Sequence, residues 1–308
     1  MHRSHQWLLA CTLLLSQGAI AQGLPSVGML SENEFRQDEL LASDRPEAWA
    51  MNYFAASSLM TAFGETPALR PGQWQAAVEL GHIPRLSEEQ QRVGFNAIKR
   101  EDLNKSPVFG RLRMSLGLPA GWIAEFGYTP PLTIDGAHPR DLIAIAVGHR
   151  LIERGAYTLS ARAFGQHGGA QGDITCPSEL AGVEDIERNP YGCQAASDDH
   201  VTLNYYGVDL VSGWNAGAWH WHADVGVART ETTVQVDALT FDLHDRSRLV
   251  ARDVLPYLAV GTGRDLSAHW RVGVELLHVP LTVRRGPGAS PDSDPLTSLR
   301  LQVHYQAD

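Results

Sequence analysis

The chain has 308 residues, of which 44% are hydrophobic, 19% charged and 8% aromatic, and its formal net charge is −10. This apolar content argues against disorder, and the acidic balance without a Lys/Arg cluster argues against nucleic-acid binding. Beyond the N-terminus the longest uninterrupted apolar run is Leu142–Gly148, far short of the ~18 residues that a membrane-spanning helix needs.

Residues 1–21 are predicted to be a secretory signal peptide. A short basic segment at 1–5 precedes an apolar stretch at 7–15, and the small residues of 18–21 supply a cleavage site. A buried N-terminal helix is one alternative. A lipoprotein signal at 8–11 is another, but it comes too early to follow a full apolar region. The chain is therefore expected to be exported.

The segment 22–71 carries a helix signal rather than a strand signal. Asp44–Glu47 has the pattern of a capping box with proline in the first turn, and Gly64 offers a C-cap. The apolar residues between them share one helical stripe. They are Trp49, Tyr53, Ala56, Met60 and Phe63. A helix at about 45–63 is predicted.

From residue 73 onward, apolar and polar residues alternate with a period of two. The runs centre on 74–80, 112–118, 122–128, 143–147, 157–163, 219–227, 270–276 and 299–305, and two strand-like segments of ambiguous parity lie near 200–212 and 250–262. Each run is about 9–13 residues long, the length of a tilted strand that crosses a bilayer. Ten strands follow, with eight or twelve as alternatives.

A β-sandwich also alternates, but three observations favour a membrane barrel. The polar face carries Arg and Glu at mid-strand, while the apolar face is free of charge. Short connections alternate with long ones, as in outer-membrane barrels. The long connections cover about 84–107, 131–140, 168–199, 230–249 and 281–296.

The third observation is a set of aromatic residues at one level. Each strand after a short turn opens with an outward aromatic residue, as does the first strand, and the last strand closes with one. The predicted interfacial girdle is Trp74, Trp122, Tyr157, Trp219, Trp270 and Tyr305. A ring of this kind marks one membrane–water interface.

Two cysteines remain once the signal peptide removes Cys11. Cys176 and Cys193 flank a polar, turn-rich loop in an oxidising compartment, so a disulfide between them is predicted. It would stabilise the fold by about 3 kcal/mol in the chain-entropy model. Neither cysteine has His or Cys neighbours at metal-ligand spacing. No cofactor and no resident metal is predicted.

Over 72–306 the chain resembles the bacterial outer-membrane β-barrel proteins, in the broad sense of small porin-like and OmpA-like barrels. Leu299, Leu301, Val303 and Tyr305 look like the terminal-strand signal that the barrel-assembly machinery reads, although the chain continues past Tyr305. The resemblance implies an all-β antiparallel transmembrane barrel in a Gram-negative outer membrane. It also implies contact with lipid and lipopolysaccharide, and both termini in the periplasm.

Within a barrel, the N-terminal helix is expected at the periplasmic mouth or inside the lumen, as a plug, a gate or a packing element. A helix on the membrane surface is the alternative. Alternation also predicts the lumen-lining residues. They are Arg111, Arg113, Glu125, Arg150, Arg162, His220, His222, Asp224, Arg271, Glu275 and Arg300. Such residues either form a compensating network that fills a narrow barrel or line a polar path for a small solute.

A weaker candidate site lies at the rim near the long loops. It comprises Asp198, Asp199, His200, His244 and Asp245. Paired acids opposite a His–Asp pair can activate water for hydrolysis, and the resemblance to the omptin proteases here is one of residue type only. The plainer interpretation is that Asp is common where strands emerge into loops.

The leading functional hypothesis is a narrow or gated porin-like channel for small polar solutes. The alternative is a non-conducting structural or surface-interaction barrel, with a hydrolase at the rim less favoured. An enzymatic role is therefore not the first choice.

Overall fold

The computed structural model describes residues 33–286 and 288–307. The predicted signal peptide, 1–21, lies outside the described residues. Among the residues described, no helix combines the length and apolar character needed to cross a membrane.

Ten antiparallel strands form a closed barrel. They are β1 Trp74–His82, β2 Val108–Gly117, β3 Trp122–Tyr128, β4 His138–Arg154, β5 Tyr157–Gly172, β6 Asp199–Ala216, β7 Trp219–Gln235, β8 Arg248–Asp265, β9 Trp270–Val279 and β10 Leu296–Gln306. Each strand pairs with the next, and β10 pairs with β1 to close the wall. The prediction of an antiparallel barrel of about ten strands is confirmed.

The wall is uneven in height. Strands β4 to β8 have 16–18 residues, longer than the predicted runs. In contrast, β3 has only 7 residues. The long strands continue with polar residues past the apolar belt, so alternation of apolar residues alone underestimates their length.

The two segments of ambiguous parity are β6 and β8. Tyr205 and Asp209 of β6, and Tyr257 of β8, are buried inside the barrel. Their neighbours Tyr206 and Val208 are exposed on the outer surface. Inward aromatic residues explain why a rule that places every apolar residue outside fails on these two strands.

Short strands and helical turns lie in the segments at the long-loop end and in one of the short turns. The short strands are Asn33–Phe35, Asp38–Leu40, Arg92–Val93, Lys99–Arg100, Ala238–Thr240, Leu243–Asp245, Thr282–Val283 and Asp292–Ser293. The helical turns are Gly94–Ala97 and Pro119–Gly121. The loop between β5 and β6 carries the Cys176–Cys193 disulfide, with 5.6 Å between the Cα atoms, as predicted.

The helix α1, Pro46–Ser57, lies inside the barrel toward the long-loop end. Every residue of α1 except Phe54 is buried. Three side chains anchor it to loops and wall: Trp49 Nε1 donates to Asp294 O, Tyr53 Oη to Pro84 O and Asn52 Nδ2 to Asp253 Oδ2, each at 2.9 Å. The helix therefore occupies the lumen, and neither the membrane surface nor the short-turn mouth.

The helix begins within one residue of its predicted start, but it lacks the predicted capping box and ends earlier than predicted. Asp44, the predicted cap residue, pairs with Arg284. The N-cap position is occupied by Arg45, whose side chain makes no cap bond. The helix ends at Ser57, before Met60 and Phe63 of the predicted stripe. The following backbone is extended through the lumen, where side chains of the wall bond its polar groups.

The described chain begins and ends at opposite ends of the barrel. Asp38–Leu40 pairs with the first residues of β8 at the long-loop end, whereas β10 finishes with Gln306 at the short-turn end. Residues 1–32 lie outside the described residues, so the expectation that both termini lie on the short-turn side stays a prediction. Pairing with β8 is the physical reason that the segment before α1 is held at the long-loop end.

Candidate functional site: the occupied lumen

The chain crosses its own barrel. We define the plug as residues 46–67, consisting of α1 and the lumenal segment 58–67. The lumenal segment runs from the end of α1 toward the short turns, and the chain then enters β1. The plug lies where the predicted polar path would be.

Four buried arginines hold the lumenal segment through its backbone. Each donates to a carbonyl oxygen in a continuous run. The bonds join Arg111 to Ser58 (2.6 Å), Arg300 to Leu59 (2.7 Å), Arg162 to Met60 (2.9 Å), and Arg113 to Thr61 (2.8 Å) and Ala62 (2.9 Å). Since a buried carbonyl without a partner is costly, these arginines replace the helix bonds that end at Ser57.

Other lumenal groups bind the segment's donors. Tyr205 Oη accepts from Met60 N at 2.8 Å, and Asp224 Oδ2 accepts from Ala62 N at 3.0 Å. Thr61 Oγ1 donates to an oxygen of Glu275 at 2.6 Å. The extended backbone is therefore bonded through both its donors and its acceptors.

Acidic side chains of the wall pair with two of these arginines, Arg113 and Arg162. Arg113 contacts Glu79 at 2.8 Å, and Glu125 lies between Arg113 (3.2 Å) and Arg162 (2.9 Å). Arg162 also bonds Asp209 at 3.0 Å. Charge-assisted bonds of this kind are needed because an unpaired charge in a closed lumen is costly.

The lower part of the plug is tied to the wall near the short turns. Glu65 accepts from Thr158 Oγ1 at 2.9 Å and from Asn215 Nδ2 at 2.8 Å. Arg150 Nη2 donates to Thr66 O at 2.7 Å. The plug is thus bonded along its whole length, from α1 to residue 66.

A small polar cavity of about 50 Å³ remains beside the lumenal segment. His220, His222, Arg271 and His304 are among the residues that line it. A polar space of this size accommodates a few water molecules.

The lumen-lining residues His220, His222 and Asp224 lie at alternate positions of β7, but each has a different partner. His222 bonds Glu275 at 3.1 Å, His220 bonds Asp265 at 2.7 Å, and Asp224 bonds the plug. Among the described residues, no group of three or more His, Cys, Asp or Glu is arranged to hold a metal ion.

All the predicted lumen-lining residues lie on the inner side of the wall. Those that are buried are Arg111, Arg113, Glu125, Arg162, His222, Asp224, Glu275 and Arg300. Arg150, His220 and Arg271 are half-buried near the short turns. Two acidic residues of the lumen were not predicted: Glu79, which sits at an inward position of its run, and Asp209, whose strand had ambiguous parity.

The six girdle residues all face outward at the short-turn end. Tyr305 contacts Trp74 and Trp270, with ring centroids 6.2 and 5.1 Å apart. Trp122, Tyr157 and Trp219 are exposed around the rest of the ring. Above them the outer surface consists of exposed aliphatic side chains, as on a surface that faces lipid.

The rim residues have separate structural partners rather than one shared site. Asp199 is fully buried (0% exposed) and accepts from Ile174 N, Thr175 N, Ser197 Oγ and Asp237 N. With four donors on its carboxylate, Asp199 orders the β5–β6 loop and is not free to activate a water.

The other four rim residues are also individually engaged. Their contacts are Asp198 with Gln171, His200 with Arg140 (3.0 Å), His244 with Asp237 (2.5 Å) and Asp245 with Ser247 N (2.9 Å). The hypothesis of paired acids opposite a His–Asp pair therefore finds no geometric support.

No family model matches the chain, and no curated protein matches it. Solved structures that resemble it include the attachment invasion locus protein Ail of Yersinia pestis, with 10% identity, 77% of this chain and 99% of that chain covered, and a TM-score of 0.32. The outer membrane protease OmpT of Escherichia coli has 11% identity, coverages of 79% and 99%, and a TM-score of 0.36.

The toluene transporter TodX of Pseudomonas putida has 9% identity, coverages of 83% and 97%, and a TM-score of 0.31. These structures are bacterial outer-membrane β-barrels, and their named roles differ. The chain has the same class of fold, an antiparallel transmembrane β-barrel.

Proposed function

We propose that the protein is a gated outer-membrane channel for small polar solutes that its own plug holds closed. The observation that carries the proposal is the bonding of the lumenal segment to charged wall groups. Arg113 and Arg162 contact its carbonyl oxygens, and Asp224 contacts one of its amides. Water or a polar solute can offer these groups equivalent bonds once the plug moves.

The outer surface supports the location in the outer membrane. The aromatic girdle and the exposed aliphatic side chains match the chemistry of a bilayer and its interface. Export through the predicted signal peptide, assembly through the terminal strand and a lipopolysaccharide-facing long-loop end are parts of this proposal. In that orientation the short turns face the periplasm and α1 lies on the cell-surface side.

Planar-bilayer conductance tests the gate with the full chain. Ala62→Pro removes the amide that Asp224 binds, so it weakens the plug without touching the wall. The matched control is Ala68→Pro, which introduces the same residue just beyond the lumenal segment. A proline within a strand, such as Ala163→Pro, would not serve as a control because it would disrupt the wall. We expect frequent openings for A62P, and rare openings for A68P and for the unaltered chain.

Absence of conductance in A62P, with protease cleavage showing that the segment has left the lumen, would contradict the channel. That outcome would support the second candidate, a non-conducting barrel. The specific observation in favour of this candidate is that hydrogen bonds from the wall hold the plug in the lumen from Ser58 to Thr66. Its function would then reside in the disulfide-closed loop at the long-loop end.

A further inference from the structure

The barrel wall has a notch beside its shortest strand. β3 ends at Tyr128, which pairs with Leu112 of β2 and Ile143 of β4. Residues 108–111 and 138–142 of those neighbours therefore have no strand between them. We call this gap the notch.

The strand on one side of the notch is distorted there. The register of β4 against β5 shifts between Arg140 and Ile143, and Asp141 has φ 50°. The space is bridged by the connection 129–137, which contains the isolated pairing of Ile134 with Ala137. Loop backbone rather than a continuous hydrogen-bonded ladder thus closes this part of the wall.

An apolar cavity of about 230 Å³ lies at the notch. Its outer side is formed by residues of the exposed surface, among them Leu80 (50% exposed) and Leu132 (68% exposed). Its inner side is formed by Phe54 of the plug and by the buried Leu142 and Leu203. The cavity therefore connects the lipid-facing surface with the apolar packing around α1.

One polar group in the lining lacks a partner. Thr129 is 4% exposed, and its Oγ1 has no hydrogen-bond partner. The one lysine of the lining, Lys105, forms ion pairs with Asp102 at 2.6 Å and with Asp173 at 2.8 Å. The lining therefore has one free hydroxyl group that can bond a neutral ligand. It has no unpaired positive charge that could bind a carboxylate.

We propose that the notch cavity binds a neutral alkyl chain that carries one oxygen, which bonds to Thr129. An apolar cavity of about 150 Å³ holds benzene, so this larger one has room for a ligand of about eight carbon atoms. The ligand enters from the lipid-facing side, past Leu80 and Leu132. The site opens toward the lipid-facing surface, and binding there does not depend on conduction.

Photolabelling of the full chain in phospholipid nanodiscs tests the proposal. The first probe is an octanol that carries a diazirine, and the second is a phospholipid with the same diazirine in one acyl chain. Labelled residues are located by mass spectrometry. We expect saturable labelling of 129–142 and of Phe54, which excess unlabelled 1-octanol displaces.

The two probes distinguish the source of the alkyl chain. Displacement of the octanol label by 1-octanol indicates a free amphiphile, whereas labelling by the phospholipid that resists 1-octanol indicates a membrane acyl chain; either supports an alkyl site. Label spread evenly over the aliphatic belt, without saturation by either probe, would overturn the proposal.

Variants with matched controls localise the binding. Ala137→Trp fills the cavity and should abolish saturable labelling, whereas Thr133→Trp, on the same connection but outside the lining, should retain it. Thr129→Val keeps the shape and removes the hydroxyl, so we expect octanol affinity to fall about three- to tenfold and octane affinity to stay unchanged. Equal labelling of A137W and T133W, both shown to be folded by electrophoretic mobility, would also overturn the proposal.

Discussion

Arg162 and Met60 join the barrel wall to the plug. Nη2 of Arg162 donates to the carbonyl oxygen of Met60 at 2.9 Å, while its Nη1 donates to Glu125 at 2.9 Å. The same guanidinium group therefore completes both the charge network of the wall and the backbone bonding of the plug. Loss of Arg162 would leave the buried Glu125 and the carbonyl oxygen of Met60 without this bond, and loss of the plug would leave the Arg162 guanidinium without one of its acceptors.

The first prediction concerns this guanidinium group. Arg162→Met should destabilise the barrel by about 3–5 kcal/mol, because Glu125 and Asp209 remain buried without their shared partner. The free energy of unfolding is measured in urea by the change in electrophoretic mobility. Arg252→Met is the matched control: Arg252 and Glu231 form a pair whose side chains are 53% and 59% exposed, so a change of about 0–1 kcal/mol is expected. Equal free energies of unfolding for R162M and R252M would show that the ion pairs of Arg162 do not stabilise the barrel.

The second prediction concerns the hydroxyl group of Thr61. Thr61→Val keeps the shape of the side chain and removes the bond to Glu275, which should weaken the plug by about 1–2 kcal/mol. Because about 1.4 kcal/mol is a factor of ten, protease cleavage within 58–67 should accelerate roughly tenfold when local opening limits cleavage. Thr133→Val, on an exposed connection, serves as the control. Unchanged cleavage in T61V would show that this bond does not hold the plug.

The third prediction concerns pH and the loop between β1 and β2. Burial raises the pKa of Glu101 to about 7, although the bond from Lys99 at 2.8 Å opposes the rise. Because the folded state holds this proton more tightly than the unfolded state, protonation of Glu101 stabilises the fold. This contribution is complete below the unfolded pKa of about 4.5 and is lost as the pH rises through the folded pKa of about 7. The loop should therefore be less stable at pH 8 than at pH 5.

Hydrogen exchange measures this loss of stability. The amide of Asp102 donates to Ile174 O at 3.1 Å and reports opening of the loop. Its protection factor should fall by at least about tenfold between pH 5 and pH 8. In Glu101→Gln the fall should disappear, because no proton is exchanged at that position. Persistence of the same pH dependence in E101Q would assign it to another group.

The fourth prediction concerns the disulfide between Cys176 and Cys193. Replacing both by Ser should cost about 3 kcal/mol in the stability of the β5–β6 loop. Faster proteolysis of 177–192 is expected, while the barrel keeps its electrophoretic mobility, since strand pairing does not depend on the loop. Loss of the folded barrel together with the loop would contradict this separation.

Alternation predicted the wall because each strand residue meets only lipid or lumen. Arg111 and Leu112 are adjacent in sequence, and the first is buried inside while the second is exposed outside. The Cys176–Cys193 disulfide was also predicted, because two cysteines in a loop that is expected to be exported can pair in only one way. These features depend on local pattern and compartment alone.

The course of the plug was not predicted, because it depends on contacts distant in sequence. Met60 is apolar and fits a helical stripe, yet its carbonyl oxygen bonds Arg162, which lies far along the chain. The structural role of Asp199 was not predicted for a similar reason, because loop backbone amides surround its carboxylate. Backbone groups carry no sequence signal that reveals such partners.

Disulfide trapping in intact outer membranes tests most directly whether the plug occupies the lumen. A Cβ atom at Gly213 would lie 2.7 Å from the Cβ of Glu65, so a shift of about 1 Å allows a bond between cysteines at 65 and 213. The control pair is Glu65→Cys with Gly81→Cys, because Gly81 faces the lumen beside Arg300, toward the other end. We expect nearly complete cross-linking of E65C/G213C and none of E65C/G81C. Failure of E65C/G213C to cross-link in folded barrels would mean that the plug does not occupy the lumen.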